Sequence, residues 1–231
     1  KLVTTSCGAD DPDGLWRRVF ALGDEDAPSV NLLRSLKEQI SLFVDPKYPD
    51  QDADTLMVLA HFAAPPGSRV LEVGANEEDT ARILTDNGFS VTGVDLRPDN
   101  RAQFPMNYAR LEGDFVQLAP FLTGKFDAAI STSALEHFGL GTYGDAADPD
   151  LDSKAVAAMS RLLKAGGECH ITVPYGCRFI GDNPDWRVYD RDALVSRILV
   201  PFDGVVEKKL GKRCLCHGQP PTRRPWRRDT P

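Results

Sequence analysis

Residues 68–95 read SRVLEVGANEEDTARILTDNGFSVTGVD, and the pattern of this stretch decides the fold. Arg69–Val73 (RVLEV) is a short apolar run with the composition of a buried strand. Asp79–Asn87 has helical spacing, and Gly88 closes it. Ser90–Asp95 (SVTGVD) is a strand again. A strand, a helix and a second strand at this spacing predict parallel neighbours joined by a crossover helix.

The alternation continues outward. A weaker strand falls around Ala109–Leu111 and a clear one at Phe126–Ile130 (FDAAI). Asp148-Pro149 suits a helix start, with Asp as cap and Pro in the first helical position. That helix turns Val156, Met159, Leu162 and Leu163 inward and ends at Gly166-Gly167. Glu168–Val173 (ECHITV) follows as a strand. Strands alternating with helices predict an α/β fold with a mostly parallel, doubly wound sheet. Val205–Leu210 and Arg213–His217 flank Gly211-Lys212, a two-residue connection that predicts a closing antiparallel hairpin.

The ends differ in composition. Residues 1–60 hold eleven acidic against six basic residues. Ser29–Val44 spaces Leu32, Leu33, Leu36, Ile40 and Phe43 as an amphipathic helix. A second helix is expected over Asp52–Phe62, stopped by Pro65-Pro66-Gly67. Residues 1–66 are therefore expected as a helical extension, open to use as a lid or, through Ser29–Val44, in a homodimer. Residues 67–218 form the main domain. The Pro- and Arg-rich tail, 219–231, reads as a solvated terminus. The absence of an initiator Met before Lys1 implies a removed tag or leader.

The whole chain of 231 residues carries 34 acidic and 27 basic side chains, a formal charge of −7. That balance argues against general nucleic-acid binding, which wants a basic face. The apolar share of 42% suits a soluble globular core, and no apolar run approaches a membrane span. Five scattered cysteines fit a reducing, cytoplasmic compartment. Cys214-Leu-Cys216-His217 lacks a second ligand pair at zinc spacing, so it reads as an alternating strand and no metal is expected.

In such a sheet ligands bind beyond the carboxyl ends of the strands. The informative residues are thus Glu72 and Gly74-Ala75-Asn76 after the first strand, then Asp95-Leu96. Gly113-Asp114-Phe115 and Ser131 to His137 follow the next two. Gly74 lets main chain approach a ligand closely. Asp95 is a strand-end carboxylate able to accept both hydroxyls of a ribose, or alternatively a turn residue ahead of Pro98.

The successive motifs VLEVGAN, VTGVDLRP, EGDF, FDAAISTSALEH and LLKAGGECHITVP resemble those of class I S-adenosylmethionine-dependent methyltransferases, in the family's order. The resemblance covers roughly Arg69 to His217. It implies a Rossmann-like, seven-stranded sheet, S-adenosylmethionine as cofactor, and cofactor-binding roles for Glu72, Gly74, Asn76, Asp95, Leu96, Asp114, Phe115 and Ser131. Asp114 would accept from the adenine amino group with Phe115 beside the ring; the alternative for Asp114 is an ordinary Asx turn. The first loop departs from the family's G-x-G-x-G, since Asn76 and Glu78 stand at its second and third glycine positions. Asn tolerates left-handed backbone and can replace the second.

His137, beyond the fourth strand, is the candidate general base, because imidazole titrates near neutrality; the alternative is a packed histidine at a helix start. Glu136 is a second candidate, although Ser133-Ala-Leu-Glu136 also has capping-box spacing. The Gly139–Asp145 loop, Tyr175, Trp186, Arg187 and Tyr189 are candidates to shape an acceptor pocket. The expected reaction is methyl transfer to a small-molecule hydroxyl on a sugar, glycan precursor or natural product. Alternatives are transfer to nitrogen or carbon, or a catalytically silent binding or assembly subunit.

Overall fold

A computed structural model describes residues 3–5, 55, 58–59, 61–75, 80–98, 106–181, 183–204 and 207–209. Its centre is a parallel sheet. Strand β2 (Arg69–Val73) is followed by helix α1 (Thr80–Asp86) and β3 (Ser90–Asp95), then β4 (Tyr108–Glu112). A short helix α2 (Phe115–Leu118) leads to β5 (Phe126–Thr132). Helix α3 (Leu151–Leu162) leads to β6 (Leu163–Thr172), and α4 (Arg191–Ala193) runs directly into a π-helical turn, Leu194–Leu199.

These five strands lie in the order β4-β3-β2-β5-β6. The chain winds outward from β2 to one side, then returns beside β2 and winds to the other, so β2 and β5 flank the switch point where ligands bind in such sheets. Two three-residue strands, β1 (Val3–Thr5) and β7 (Glu207–Lys209), extend the edge beyond β6. Both pair in parallel. All pairings between described strands are parallel. Arg213–His217, the second arm of the expected hairpin, lies outside the described residues, and the described part of its first arm pairs with β1 instead. The helical reading of residues 1–66 did not include that strand.

The sheet is covered on both faces, which is why β2 reads as an almost unbroken apolar run. Leu71, Val73, Val94, Ala129, Cys169 and Ile171 pack with Ala155, Val156 and Met159 of α3 and with Phe115. On the other face the register sets Glu72, Ile130 and His170 side by side. There Phe62 lies against His170, ring centroids 5.4 Å apart, and edge-on to Phe89. Thr55, Val58, Leu59 and His61, within the span of the second expected helix, are helical, and Val58 and Leu59 are fully buried. Ser29–Val44 lies outside the described residues, as do Cys214–His217 and the tail.

Two boundaries differ from expectation. Helix α3 begins at Leu151, not at Pro149, because Asp148 turns its Oδ1 to the Asp150 amide and holds the preceding turn open. It ends at Leu162, before the glycines. Phe126 pairs with Leu163 but Ala128 with Glu168, so Lys164–Gly167 bulges out of β6, with Gly166 at φ 77°. Cys169 is a buried free thiol whose burial pushes it up to about 12. Cys177 is disulfide-bonded, which the reading of a reducing compartment does not include. Among the described residues no helix is long and apolar enough to cross a membrane, and no cluster of metal-ligating side chains occurs.

Candidate functional site

The described residues at the carboxyl ends of β2, β3, β4 and β5 meet at the switch point. Gly74 adopts φ 84°, a left-handed conformation that favours glycine, and a Cβ there would overlap the Cβ of Ala134 beyond β5. Its amide donates to Val94 O at 2.9 Å, and that of Ala75 to the same oxygen at 3.3 Å. The Gly113 amide donates to Asp95 O at 2.8 Å. Main-chain bonds therefore stitch three consecutive strand ends into one rim.

Arg110, on β4, reinforces this rim. Its Nη1 donates to Ala75 O and its Nη2 to Arg97 O at 2.8 Å. The register places it beside Gly93 and Glu72 on one sheet face. A Cβ at Gly93 would collide with the Tyr108 hydroxyl, so that glycine leaves room for Tyr108 to cross β3. Sequence reasoning missed Arg110; its only signal is alternation within β4.

The predicted cofactor residues fall as follows. Glu72 is buried in β2, 3% exposed. Asp95 is also buried, and its Oδ1 accepts from the Arg97 amide at 2.8 Å and lies 3.4 Å from Arg97 Nε. Leu96 is half-buried at the same strand end. Asp114 caps α2, its Oδ1 accepting from the amides of Val116 (2.8 Å) and Gln117 (3.3 Å). Phe115 turns its ring into the core. Ser131 is wholly buried in β5, and its Oγ has no hydrogen-bond partner among the described residues. Asn76 lies outside the described residues.

Beyond β5, Ser133 holds φ 44°, rare for a residue with a side chain, and its amide donates to Thr172 Oγ1 at 2.9 Å. This left-handed Ser starts a 3-10 turn, Leu135–His137, whose N-cap position is Ala134 with no side-chain cap. The capping box read from Ser133 and Glu136 is therefore not formed: Ser133 is turned away by its own backbone. Glu136 is buried, 4% exposed.

His137 is half-buried, with Nδ1 2.5 Å from Asp185 O. A carbonyl oxygen only accepts, so Nδ1 carries the proton and Nε2 is the accepting nitrogen of the neutral ring. The His137 ring meets Tyr143 edge-on at 5.4 Å, and the Arg97 guanidinium lies 4.5 Å from the centre of the Tyr143 ring. Tyr143 belongs to the glycine-rich loop flagged in the sequence. Asp95, Arg97, Tyr143 and His137 thus form a connected series at the carboxyl ends of β3 and β5. Of the other pocket candidates, Tyr175 and Trp186 are half-buried, whereas Arg187 and Tyr189 are fully buried and line no open surface.

The donor set fits a nucleoside sulfonium. Buried carboxylates suit hydroxyl donors and a cationic end, and the glycine turn lets main chain come close.

Comparison with known proteins agrees in kind. A family model described as a methyltransferase domain matches residues 71–171. The chain is 29% identical over 120 residues to the S-adenosyl-L-methionine-dependent Diels-Alderase iccD of Talaromyces variabilis, a match covering 48% of this chain and 37% of that protein. The chain thus spans little more than a third of that curated relative. Among solved structures it is similar to the 1,6-didemethyltoxoflavin-N1-methyltransferase of Burkholderia thailandensis, with 17% identity and a TM-score of 0.51 over 85% of this chain and 81% of that one. It is also similar to the [4+2]-cyclase SpnF, with 20% identity and a TM-score of 0.52 over 74% and 68%. At these identities the structural likenesses bear on the fold.

Proposed function

We propose that this chain, whose residues 71–171 match a methyltransferase domain, is a class I S-adenosylmethionine-dependent methyltransferase that transfers a methyl group from that cofactor to a hydroxyl of a small molecule such as a sugar or natural product. When bound, the cofactor supplies an electrophilic methyl group on a cationic sulfur. The observation that carries the reading is the placement of Asp95 and His137 at opposite ends of one series at the carboxyl ends of β3 and β5.

In this reading Asp95 accepts from the ribose hydroxyls and Gly74 brings main chain against the ligand. Glu72 sets negative charge beneath its cationic end. The cap on α2 uses Asp114 Oδ1 alone, so Oδ2 is the oxygen offered to the adenine amine. Phe115 contributes through its main chain, its ring being committed to the core. Leu96 and Ser131 complete the walls, with Asn76 in the first loop. His137 takes the acceptor's proton at Nε2. Glu136, buried in the same turn, is the second candidate for the proton-accepting role. A neutral hydroxyl is a poor nucleophile, and a positioned base contributes about 10²–10⁴-fold.

The test is turnover of His137→Ala on a panel of hydroxylated sugars and natural products, read as S-adenosylhomocysteine formed. A fall of about 10²–10⁴-fold with unchanged cofactor affinity supports the reading. Survival within a few-fold removes His137 as base and leaves positioning as the source of rate.

The likeness to iccD and SpnF favours a second reading, cyclisation with the cofactor bound and its methyl group retained. There, substrate is consumed without formation of S-adenosylhomocysteine. A silent subunit would consume neither.

A further inference from the structure

Residues 185–189 lie against the turn that carries His137. Asp185 O receives the imidazole Nδ1 proton at 2.5 Å. Two residues later the Arg187 amide donates to Glu136 O at 2.9 Å, and the Arg187 guanidinium donates through Nη1 to Phe138 O. The main chain on both sides of His137 is therefore held by one residue. Arg187 Nη2 also reaches Pro149 O at 3.4 Å, tying the turn to the start of α3.

This guanidinium is only 1% exposed. Its counter-ion is Asp152 on α3, also fully buried, with Arg187 Nε 3.9 Å from Oδ2. Asp152 further accepts from Tyr189 Oη at 2.7 Å and from Arg197 Nε and Nη2 at 3.0 and 2.6 Å. Burial foremost, then the Asp152 charge, hold the Tyr189 phenol well above its ordinary value, so it stays protonated and donates. Desolvating such a group of ions is costly, and a buried ion pair is weak evidence of net stabilisation. A rigid fork reaching several carbonyls at once is geometry that Arg supplies and Lys does not.

We infer that Arg187, anchored by Asp152, is a positioning residue for His137: by clamping the main chain at 136 and 138 it keeps Nδ1 against Asp185 O and Nε2 as the proton-accepting nitrogen. The inference rests on the reading of His137 as the base and adds the residues that orient it. Arg187 acts through the main chain and touches no acceptor, which separates it from the pocket role that its sequence position suggested.

The experiment uses the full chain with ¹⁵N-labelled histidine. There are four histidines, and His137→Ala assigns the relevant signal by its loss. Arg187→Lys keeps the charge and loses the fork; Arg187→Met loses both. The expected result is that both variants bind S-adenosylmethionine with wild-type affinity by calorimetry, while His137 loses its Nδ1–H signature and populates the Nε2–H tautomer. The His61 and His170 signals stay in place. A residue that merely stabilised the fold would lower the melting temperature and leave the His137 tautomer unchanged. If Arg187→Met does not fold, Arg187→Lys decides alone. A folded Arg187→Lys whose His137 keeps the wild-type tautomer overturns the inference. Turnover of His137→Ala reports separately on the base itself, so either idea fails without the other.

Discussion

At the scale of single residues, Asp95 and Gly74 carry the cofactor reading. Asp95 is buried and already engaged by Arg97, so removing its carboxylate takes an acceptor from a site that the solvent does not refill. Loss of a charged hydrogen bond costs about 1.5–3 kcal/mol. Asp95→Ala is accordingly expected to weaken S-adenosylmethionine binding about tenfold or more, measured by calorimetry on folded protein. Wild-type affinity in that variant would remove Asp95 from the site. Gly74→Ala tests the loop beside it. The new methyl group meets Ala134 and the left-handed backbone is strained, a cost of about 1–3 kcal/mol. A lower melting temperature together with weaker cofactor binding is expected. A variant with the wild-type melting point would show that the two loops separate freely.

At the scale of elements, β6 and the segment ahead of β2 are joined by one carboxylate. Glu168 Oε1 accepts from the amides of Ala63 and Ala64 at 2.9 and 2.7 Å, and Oε2 lies 3.4 Å from His170 Nε2. The bulge at Lys164–Gly167 sets Glu168 opposite Ala128. Burial is the largest single influence on this carboxyl and pushes it up, yet the His170 ring beside it and the amides of Ala64 and Ala63 together hold it below its ordinary value of 4.5. A depressed carboxyl stabilises the fold fully above its unfolded value and loses that contribution as pH falls through the folded one. Glu168→Gln is therefore expected to melt below wild type at pH 7, with the gap closing as pH drops below about 4. A gap that is independent of pH would mean that the carboxylate's charge contributes nothing to this joint.

At the scale of the whole molecule, one apolar layer between the sheet and α3 supports the rim. Met159 is fully buried within it. Deleting such a side chain to Ala costs about 2–5 kcal/mol, because the surroundings close only partly over the cavity. Met159→Ala should lower the melting temperature while leaving cofactor affinity in the folded protein close to wild type, since Met159 lies beneath the strands and not at their ends. Loss of affinity in folded Met159→Ala would instead show that this layer sets the geometry of the rim. A ligand that binds only the folded state stabilises by about 2.7 kcal/mol at a hundred times its Kd. S-adenosylmethionine at that concentration should thus raise the melting temperature of wild type and Met159→Ala alike.

The sequence by itself determined the alternation of strands and helices, because burial on both faces and crossover connections leave a local pattern. Arg69–Val73 and Ser90–Asp95 were legible to the residue, and Asp95 could be placed at a strand end and His137 beyond one from order alone. Local pattern also misled. Ser133 and Glu136 have the spacing of a cap, yet Ser133 is drawn into a left-handed turn by Thr172, a partner from another strand. Arg187 looked like a surface group near an acceptor, because nothing nearby in sequence announces Asp152 as its buried counter-ion. Only the tertiary structure decided these points, along with the Arg110 strut and the tautomer of His137. Each depends on a hydrogen bond or ion pair between residues far apart in the chain, which hydrophobic periodicity does not encode.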